Sequence, residues 1–393
     1  MGRFIARMTS LHYYAKSGGI EMSNITTPQR YDFVGSFLRP KALKDAKAAF
    51  SEGKISAEEL DSVVNEEIKK VVAKQKELGY HVITDGEFRR TFWHLDFMWG
   101  FEGVDHKATG KGVPFNGELA VLDDTFLTGK IKAKAHPFVE YFKFLKQFED
   151  ENTVAKYTIP SPAQTFQQMI VPANYENTRK FYPTNEELIQ DVAVAYRDVI
   201  KQFYDAGCRN LQFDDCTWGA IVGDAAELRY KALGIELEEV KDQLLKVNNL
   251  ALEGKPADMV ITSHICRGNY HSTYFTSGAY DTVADHVFAR ENVDALFLEY
   301  DDERSGGFAP LAKVSPDKKV VLGLITTKSP VLEDKATVIA RIKDAAQYVP
   351  LDRLYLSPQC GFASCEIGNK LTEEEQWAKL KLVKEIAEEV WGK

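Results

Sequence analysis

Short apolar runs recur along the chain, each of strand length and rich in β-branched or aromatic residues. Eight such runs begin at Tyr31, His81, Ala155, Asn210, Asp258, Ala295, Lys319 and Arg353. Stretches with helical spacing of apolar residues lie between most of them. Eight strands that alternate with helices predict parallel βα units closed into one α/β domain, a (β/α)8 TIM barrel. The rival doubly wound sheet lacks a Gly-x-Gly-x-x-Gly turn after the first strand.

Three of the intervening stretches carry clear sequence signals for the ends of a helix. Each opens with a capping-box pattern, in which a hydroxyl residue precedes a glutamate by three positions. The pairs are Ser56 with Glu59, Thr184 with Glu187, and Thr372 with Glu375. The first two of these helices are predicted to stop at Gly79 and Gly207. The longer insertion over residues 100–156 is predicted to form loops and one helix at the rim of the barrel.

Residues able to do chemistry accumulate where the predicted strands end. They are Ser36, Asp85, Glu87, Asp214, Asp215, His264, Cys266, Glu299, Lys328 and Cys360. The carboxyl ends of barrel strands converge on one mouth, which is where the active sites of this architecture lie. Side chains that are far apart in the sequence are therefore predicted to be neighbours at that mouth.

Composition narrows the classes of function. A formal net charge of -9 over 393 residues argues against a nucleic-acid partner, since a phosphate backbone requires a basic surface. No run approaches the roughly 18 apolar residues of a membrane span. The odd count of five cysteines fits a reducing cytoplasm better than a disulfide framework.

The first 22 residues differ in charge from the rest of the chain. Residues 1–22 carry three basic residues and no acid before Glu21, as an organelle transit peptide would. We favour a disordered N-terminal extension, with the catalytic barrel occupying residues 23–393. The oligomeric state is left open.

A histidine and two cysteines suggest a metal site at the mouth. His264 and Cys266 are two positions apart, so in a strand both side chains point to the same face. Together with Glu299 and Cys360, from the ends of later strands, they form a nitrogen, sulfur and oxygen set suited to zinc. Two other cysteines, Cys208 and Cys365, are predicted to be small buried hydrophobes. The role of Cys216, which follows two aspartates, is left open.

The ordered motifs resemble a known enzyme family. "DGE", "FDD", "HICRGN", "FLEYD", "TKSP" and "SPQCGF" follow one another as in the catalytic barrel of cobalamin-independent methionine synthases. The resemblance implies Zn2+ on the four predicted ligands, homocysteine bound to that zinc as a thiolate, and its methylation to methionine. It also implies that Ser36, Glu87 and Asp214 hold the amino-acid end of homocysteine. The methyl donor would be methyltetrahydrofolate or a simpler compound.

The chain departs from the family pattern in the half of the site that would meet the donor. It has one barrel, whereas the full-length synthases have two, and Gln359 stands where the family usually has aspartate. Lys328 replaces the histidine proposed to protonate the leaving donor, and we assign catalytic roles to Lys328 and Asp214. A lysine among carboxylates stays protonated, so it would supply positive charge but would donate a proton poorly near pH 7.

Basic and aromatic residues after the first two strands suggest a donor-binding wall. They are Arg39, Arg89, Arg90, Trp93, His94, Trp99 and Phe101, which would offer guanidinium groups to carboxylates and aromatic faces to a planar ring. Two alternative functions remain. One is alkyl transfer to another thiol, as in epoxyalkane:coenzyme M transferases, and the other is a non-catalytic barrel that binds metal or amino acid.

Overall fold

The computed structural model describes residues 25–110, 112–232 and 234–392; the predicted extension over residues 1–22 lies outside them. The strands are β1 (Val82–Ile83), β2 (Glu102–Lys107), β3 (Gly112–Phe115), β4 (Glu118–Val121), β5 (Asp124–Lys132), β6 (Val154–Ala155), β7 (Tyr157–Pro160), β8 (Asn210–Asp214), β9 (Val260–Ile265), β10 (Ala295–Glu299), β11 (Lys319–Ile325) and β12 (Leu354–Pro358). All eight predicted runs coincide with one of these strands or with a backbone bridge.

The parallel strands form a ring of eight positions. Strands β7 to β12 pair in sequence order as one sheet, and β1 pairs with β6, which precedes β7 in the same extended segment. Residues 31–36 close the ring through two parallel bridges, Tyr31 to Leu356 of β12 and Ser36 to Gly86 beyond β1. The predicted (β/α)8 barrel is confirmed, although its first strand is reduced to these isolated bridges.

Helices surround the ring. They are α1 (Lys41–Ser51), α2 (Ala57–Glu77), α3 (Leu95–Met98), α4 (Pro137–Lys146), α5 (Pro162–Ile170), α6 (Tyr175–Arg179), α7 (Asn185–Asp205), α8 (Cys216–Ala220), α9 (Asp224–Ala232), α10 (Leu237–Leu252), α11 (Ala284–Arg290), α12 (Lys335–Ala345) and α13 (Glu373–Trp391), with short 3-10 turns at Tyr280–Thr282, Glu303–Ser305, Ala309–Lys313 and Leu351–Arg353. None of the helices in the described part of the chain is long and apolar enough to cross a membrane.

The predicted capping boxes form at two of the three helices. In α2 and α13 the hydroxyl and the glutamate bond reciprocally to each other's backbone. In α7 the Thr184 hydroxyl accepts from the Glu187 N–H at 3.3 Å, but the return bond is absent. The Glu187 carboxylate instead lies 3.7 Å from the ammonium of Lys130. The ion pair with Lys130 takes the place of the return hydrogen bond, so the capping box predicted for α7 is incomplete.

The two faces of each barrel strand pack against different groups of buried side chains. Leu296 and Leu298 of β10 belong to the large core between the ring and the helices. Phe297, between them, belongs to a separate cluster with Val321 and Tyr355. Because successive side chains of a strand point to opposite faces, this second cluster fills the inside of the barrel. Glu299 shares the inward face with Phe297.

The insertion over residues 100–156 is more ordered than the sequence suggested. The predicted helix is present as α4, but the predicted loops are antiparallel ribbons in which β2 pairs with β5 and β3 pairs with β4. The sequence prediction of loops was wrong because β3 and β4 have only four residues each, and only one of these eight residues is buried. Such strands lack the apolar alternation by which a buried strand is identified.

Candidate active site

A cavity of about 280 Å³ opens at the carboxyl ends of the strands. Six of the predicted site residues line it: Ser36, Glu87, Asp214, His264, Cys266 and Cys360. They come from five separate positions in the barrel ring. The predicted convergence of the strand ends on one mouth is therefore observed for these six residues.

The floor of the cavity carries a compact group of metal-ligand atoms. His264, Cys266 and Cys360 each offer one atom, and these three atoms lie within 4.8 Å of one another. All three residues are buried, and neither ring nitrogen of His264 has a hydrogen-bond partner. A buried imidazole without a partner is costly, so an atom that binds its nitrogen would remove this cost. One imidazole and two thiols match the donor preference of zinc.

The neighbouring strand ends fix the position of this group. His264 lies opposite Asp214 in the β8–β9 register, and the N–H of Asp215 donates to the His264 carbonyl at 2.8 Å. Cys360 follows β12 and precedes Gly361. A Cβ atom at position 361 would lie 1.9 Å from the Ser36 hydroxyl. Only glycine at this position allows Ser36 and Cys360 to approach one cavity together.

Glu299, the fourth predicted ligand, lies outside the compact group as its carboxylate now points. One oxygen accepts from the Arg267 N–H at 2.6 Å, and the other lies 3.0 Å from Arg304 and 3.8 Å from Lys328. Burial is the largest influence on Glu299 and raises its pKa, while the cations oppose that shift. Its role as a ligand stays a prediction, since coordination would require it to exchange some of these contacts.

Lys328 is held behind Glu299 and is not among the residues that line the cavity. Its ammonium lies 3.8 Å from Glu299 and 3.9 Å from Asp301. Burial alone would lower the pKa of Lys328, but these two carboxylates outweigh it and the net shift is upward. A lysine with a raised pKa supplies charge rather than a proton. The predicted catalytic role of Lys328 is untested by this geometry.

Two carboxylates also line the cavity. Glu87 accepts from the Thr158 hydroxyl at 2.8 Å and lies 3.3 Å from Arg90, but its second oxygen has no partner. Its backbone is left-handed, with φ of 62°, which non-glycine residues adopt rarely and most often at functional sites. Burial raises the pKa of Asp214 to about 7. The open oxygen of Glu87 is available to a cationic group.

Only part of the predicted donor wall faces the cavity. Arg39 bonds to backbone carbonyls, Arg90 pairs with Glu87 and donates to the Thr158 carbonyl, and Arg89 reaches Asp61. None of the three arginines lines the cavity, so the prediction that they form part of its wall was wrong. Trp99 and Phe101 also lie outside the lining. Trp93 and His94 do line the cavity, and burial lowers the pKa of His94 to about 3, so its imidazole is neutral at neutral pH.

The other wall comes from the β3–β4 ribbon, which the sequence did not reveal. Val113, Phe115 and Ala120 of the ribbon line the cavity, together with Leu122, which directly follows β4. The ribbon is tied to the loop after β9 by the N–H of Asn116, which donates to the Tyr274 carbonyl at 3.0 Å, and by the Thr273 hydroxyl, which donates back at 2.8 Å. The upper cavity is therefore largely apolar on this side.

A third thiol was also left unassigned by the sequence. Cys216 lines the cavity, and its sulfur lies 3.2 Å from that of Cys266. Cys208 is fully buried in the main core, as predicted. Cys365 lines the cavity and is partly exposed, so the prediction that it is a buried core residue was wrong. The position of Cys216 directly after "FDD" was the one signal that marked it.

The fold and the cavity define a (β/α)8 barrel with a thiol and imidazole cluster at its mouth. The family model for the catalytic domain of the cobalamin-independent synthase matches residues 31–103 and 174–389. The chain belongs to this family, that of cobalamin-independent methionine synthases, as a relative with a single barrel. The unmatched residues 104–173 include the β3–β4 ribbon.

Individual relatives agree with this placement. The chain is 45% identical to the uncharacterized protein YxjH of Bacillus subtilis over 93% of this chain and 95% of that protein. It is 26% identical to a methionine synthase of Saccharolobus solfataricus, over 84% and 86%. A solved structure from Listeria monocytogenes, provisionally named a vitamin-B12-independent methionine synthase, shares 42% identity and a TM-score of 0.74, with 94% of this chain and 100% of that chain covered.

Proposed function

We propose that this protein transfers a methyl group to the sulfur of homocysteine, with zinc held by His264, Cys266 and Cys360. The observation that carries the proposal is the unpartnered buried imidazole of His264 between two thiols at the floor of the cavity. Three protein ligands leave one coordination position open, as is typical of catalytic zinc. Zinc bound there would lower the pKa of a substrate thiol and so make the nucleophile available at neutral pH.

The protein's own residues supply the remaining contacts to homocysteine. The open oxygen of Glu87 accepts from the substrate ammonium, and Asp214 faces the same space. The Ser36 hydroxyl, which accepts from the Ala363 N–H at 3.3 Å, donates to the substrate carboxylate. These contacts aim the sulfur at a donor in the upper cavity, where positioning lowers the barrier to bond formation.

Lys328 and Glu299 stabilise the charge of the site rather than move a proton. The ammonium of Lys328 offsets the carboxylates of Glu299 and Asp301 at 3.8 and 3.9 Å. The donor is methyltetrahydrofolate or a simpler methyl compound, seated between the ribbon wall and Trp93. Glu299 is retained as the candidate fourth zinc ligand, which would occupy the open position until homocysteine takes it.

The test measures zinc and protons before turnover. Wild-type protein is expected to bind one zinc per chain and to release a proton as homocysteine is added, whereas Cys360→Ser loses zinc. Cys208→Ser is the matched control, since Cys208 lies in the hydrophobic core. Glu299→Gln measures whether the carboxylate is needed to hold zinc.

Turnover is then followed as methionine formed from homocysteine with candidate methyl donors. Coenzyme M serves as the competing thiol, and it should bind weakly because it has no ammonium for Glu87. A protein that binds zinc but never forms methionine with any methyl donor would contradict the transferase assignment. A protein without zinc would contradict the metal site itself.

A further inference from the structure

Cys216 is a thiol in the active-site cavity for which methyl transfer has no use. Its sulfur lies 3.2 Å from the sulfur of Cys266. A disulfide bond is about 2.05 Å long, so the two sulfurs would need to approach by about 1.2 Å to be joined. Cys216 is partly exposed and Cys266 is 3% exposed. A small solute in the cavity therefore meets Cys216 first.

The backbone holds these two cysteines side by side. Cys216 begins α8, and α8 is packed so tightly on the end of β9 that a Cβ at Gly219 would lie 1.8 Å from the Cys266 carbonyl oxygen. The Thr276 hydroxyl donates to the Gly219 carbonyl at 2.6 Å and fixes the far end of the helix. The short distance between the sulfurs is thus set by the packing of two elements.

We propose that Cys216 and Cys266 are a modification site, a thiol pair that peroxides convert to a disulfide, which removes Cys266 from the metal-ligand group. In the first step the sulfur of Cys216 attacks one peroxide oxygen and the O–O bond breaks. The released hydroxide takes the thiol proton and leaves as water. The sulfur of Cys266 then attacks the sulfenic sulfur of Cys216, the S–S bond forms, and the second hydroxide leaves as water after taking one proton from solvent or from the Cys266 thiol.

The consequence rests on the proposed function, because it concerns the zinc ligands. A disulfide sulfur no longer carries the thiolate charge that binds zinc. The three-ligand group would be reduced to His264 and Cys360, and even with Glu299 the site would have lost one of its two thiolates and would hold zinc more weakly. Oxidation is therefore expected to release one zinc ion per disulfide formed, and a thiol reductant should restore zinc binding.

The experiment uses zinc-loaded full-length protein and hydrogen peroxide. Zinc release is followed with a chromogenic chelator, and the disulfide is mapped by mass spectrometry of unreduced peptides. Wild type and Cys208→Ser should release zinc in parallel with a Cys216–Cys266 linked peptide. Cys216→Ser should bind zinc normally and retain most of it at a peroxide dose that empties the wild type.

Three results with zinc-loaded protein would overturn the proposal. Zinc release from Cys216→Ser at the wild-type rate is the first. The second is a disulfide that joins Cys266 to Cys360 instead, and the third is zinc-loaded wild type that keeps its metal without any linked peptide. Protein that forms the Cys216–Cys266 disulfide but never binds zinc would overturn the release step together with the proposed metal site. Protein that binds zinc and resists oxidation would overturn the pair alone.

Discussion

The unpartnered oxygen of Glu87 gives the sharpest test of the binding proposed for the amino-acid end of homocysteine. Glu87→Gln keeps the size of the side chain and an oxygen for the Thr158 hydroxyl, which now donates at 2.8 Å. The change removes the negative charge that faces the cavity. The Nη1 atom of Arg90 loses an ion-pair partner at 3.3 Å, but its Nη2 atom still donates to the Thr158 carbonyl at 2.6 Å. The wall should therefore keep its shape.

The expected loss follows from the burial of this carboxylate. Glu87 is 3% exposed, so solvent screens little of its attraction for an ammonium. A hydrogen bond to a charged group contributes about 1.5–3 kcal/mol, which corresponds to about a 10- to 150-fold weaker binding of homocysteine. The zinc content should not change, because Glu87 is not in the metal-ligand group.

A thiol without the ammonium separates this contact from general damage. Binding of homocysteine and of 4-mercaptobutanoate, which lacks only the amino group, is measured by calorimetry on zinc-loaded wild type and Glu87→Gln. In the variant only the binding of homocysteine should weaken, and the preference that wild type shows for homocysteine over 4-mercaptobutanoate should disappear. If the binding of both thiols weakened equally, or if neither weakened, the proposal that Glu87 binds the substrate ammonium would be refuted. Thermal unfolding of both proteins checks that the loss of charge beside Arg90 has not disturbed the fold.

Three further predictions concern the fold and the donor wall. Burial raises the pKa of Glu291 to about 8, so the folded state retains a proton that the unfolded chain releases from about pH 4.5 upward. Stability should fall as the pH rises through this window, by up to about 3 kcal/mol at pH 7, and urea unfolding of Glu291→Gln should lack this slope. Asp32→Asn should lower the free energy of unfolding by about 3–5 kcal/mol, because it leaves the fully buried ammonium of Lys156, 2.8 Å away, without its carboxylate partner. Adding Lys156→Met to Asp32→Asn should recover part of the loss. Phe115→Ala should raise KM for the methyl donor and leave the KM for homocysteine unchanged; a change in both would contradict a donor wall.

Much of the barrel was predictable because its strands and helices obey local rules. The eight apolar runs end in polar residues, and parallel strands bring those ends together whatever the length of chain between them. This rule was sufficient to collect His264, Cys266 and Cys360. The sequence could not show that residues 31–36 form only isolated bridges instead of a full strand. Their pairing depends on the backbones of Leu356 and Gly86, which are distant in the sequence.

Side-chain direction was the part that the sequence could not supply. Arg39 and Arg90 lie beside the site in the sequence, yet their guanidinium groups satisfy buried carbonyl groups of their own surroundings. Glu299 was correctly placed at a strand end, but the cations Arg304 and Lys328 draw its carboxylate away from the thiols. In each case a contact between distant residues decides the outcome, and neither spacing nor composition encodes such a contact.

The two halves of the cavity are built in different ways, and under the proposed function this division separates thiol activation from donor binding. The thiol half is carried by strand ends within the residues that the family model matches, where the barrel geometry fixes each side chain. The donor half takes one wall from the β3–β4 ribbon, which lies in the unmatched residues 104–173. Changes in the ribbon can alter the shape offered to a donor without moving His264 or Cys266, because the ribbon is tied here to the loop after β9 and not to the strand itself. A barrel of this design would keep one way of activating a thiol while its donor changes.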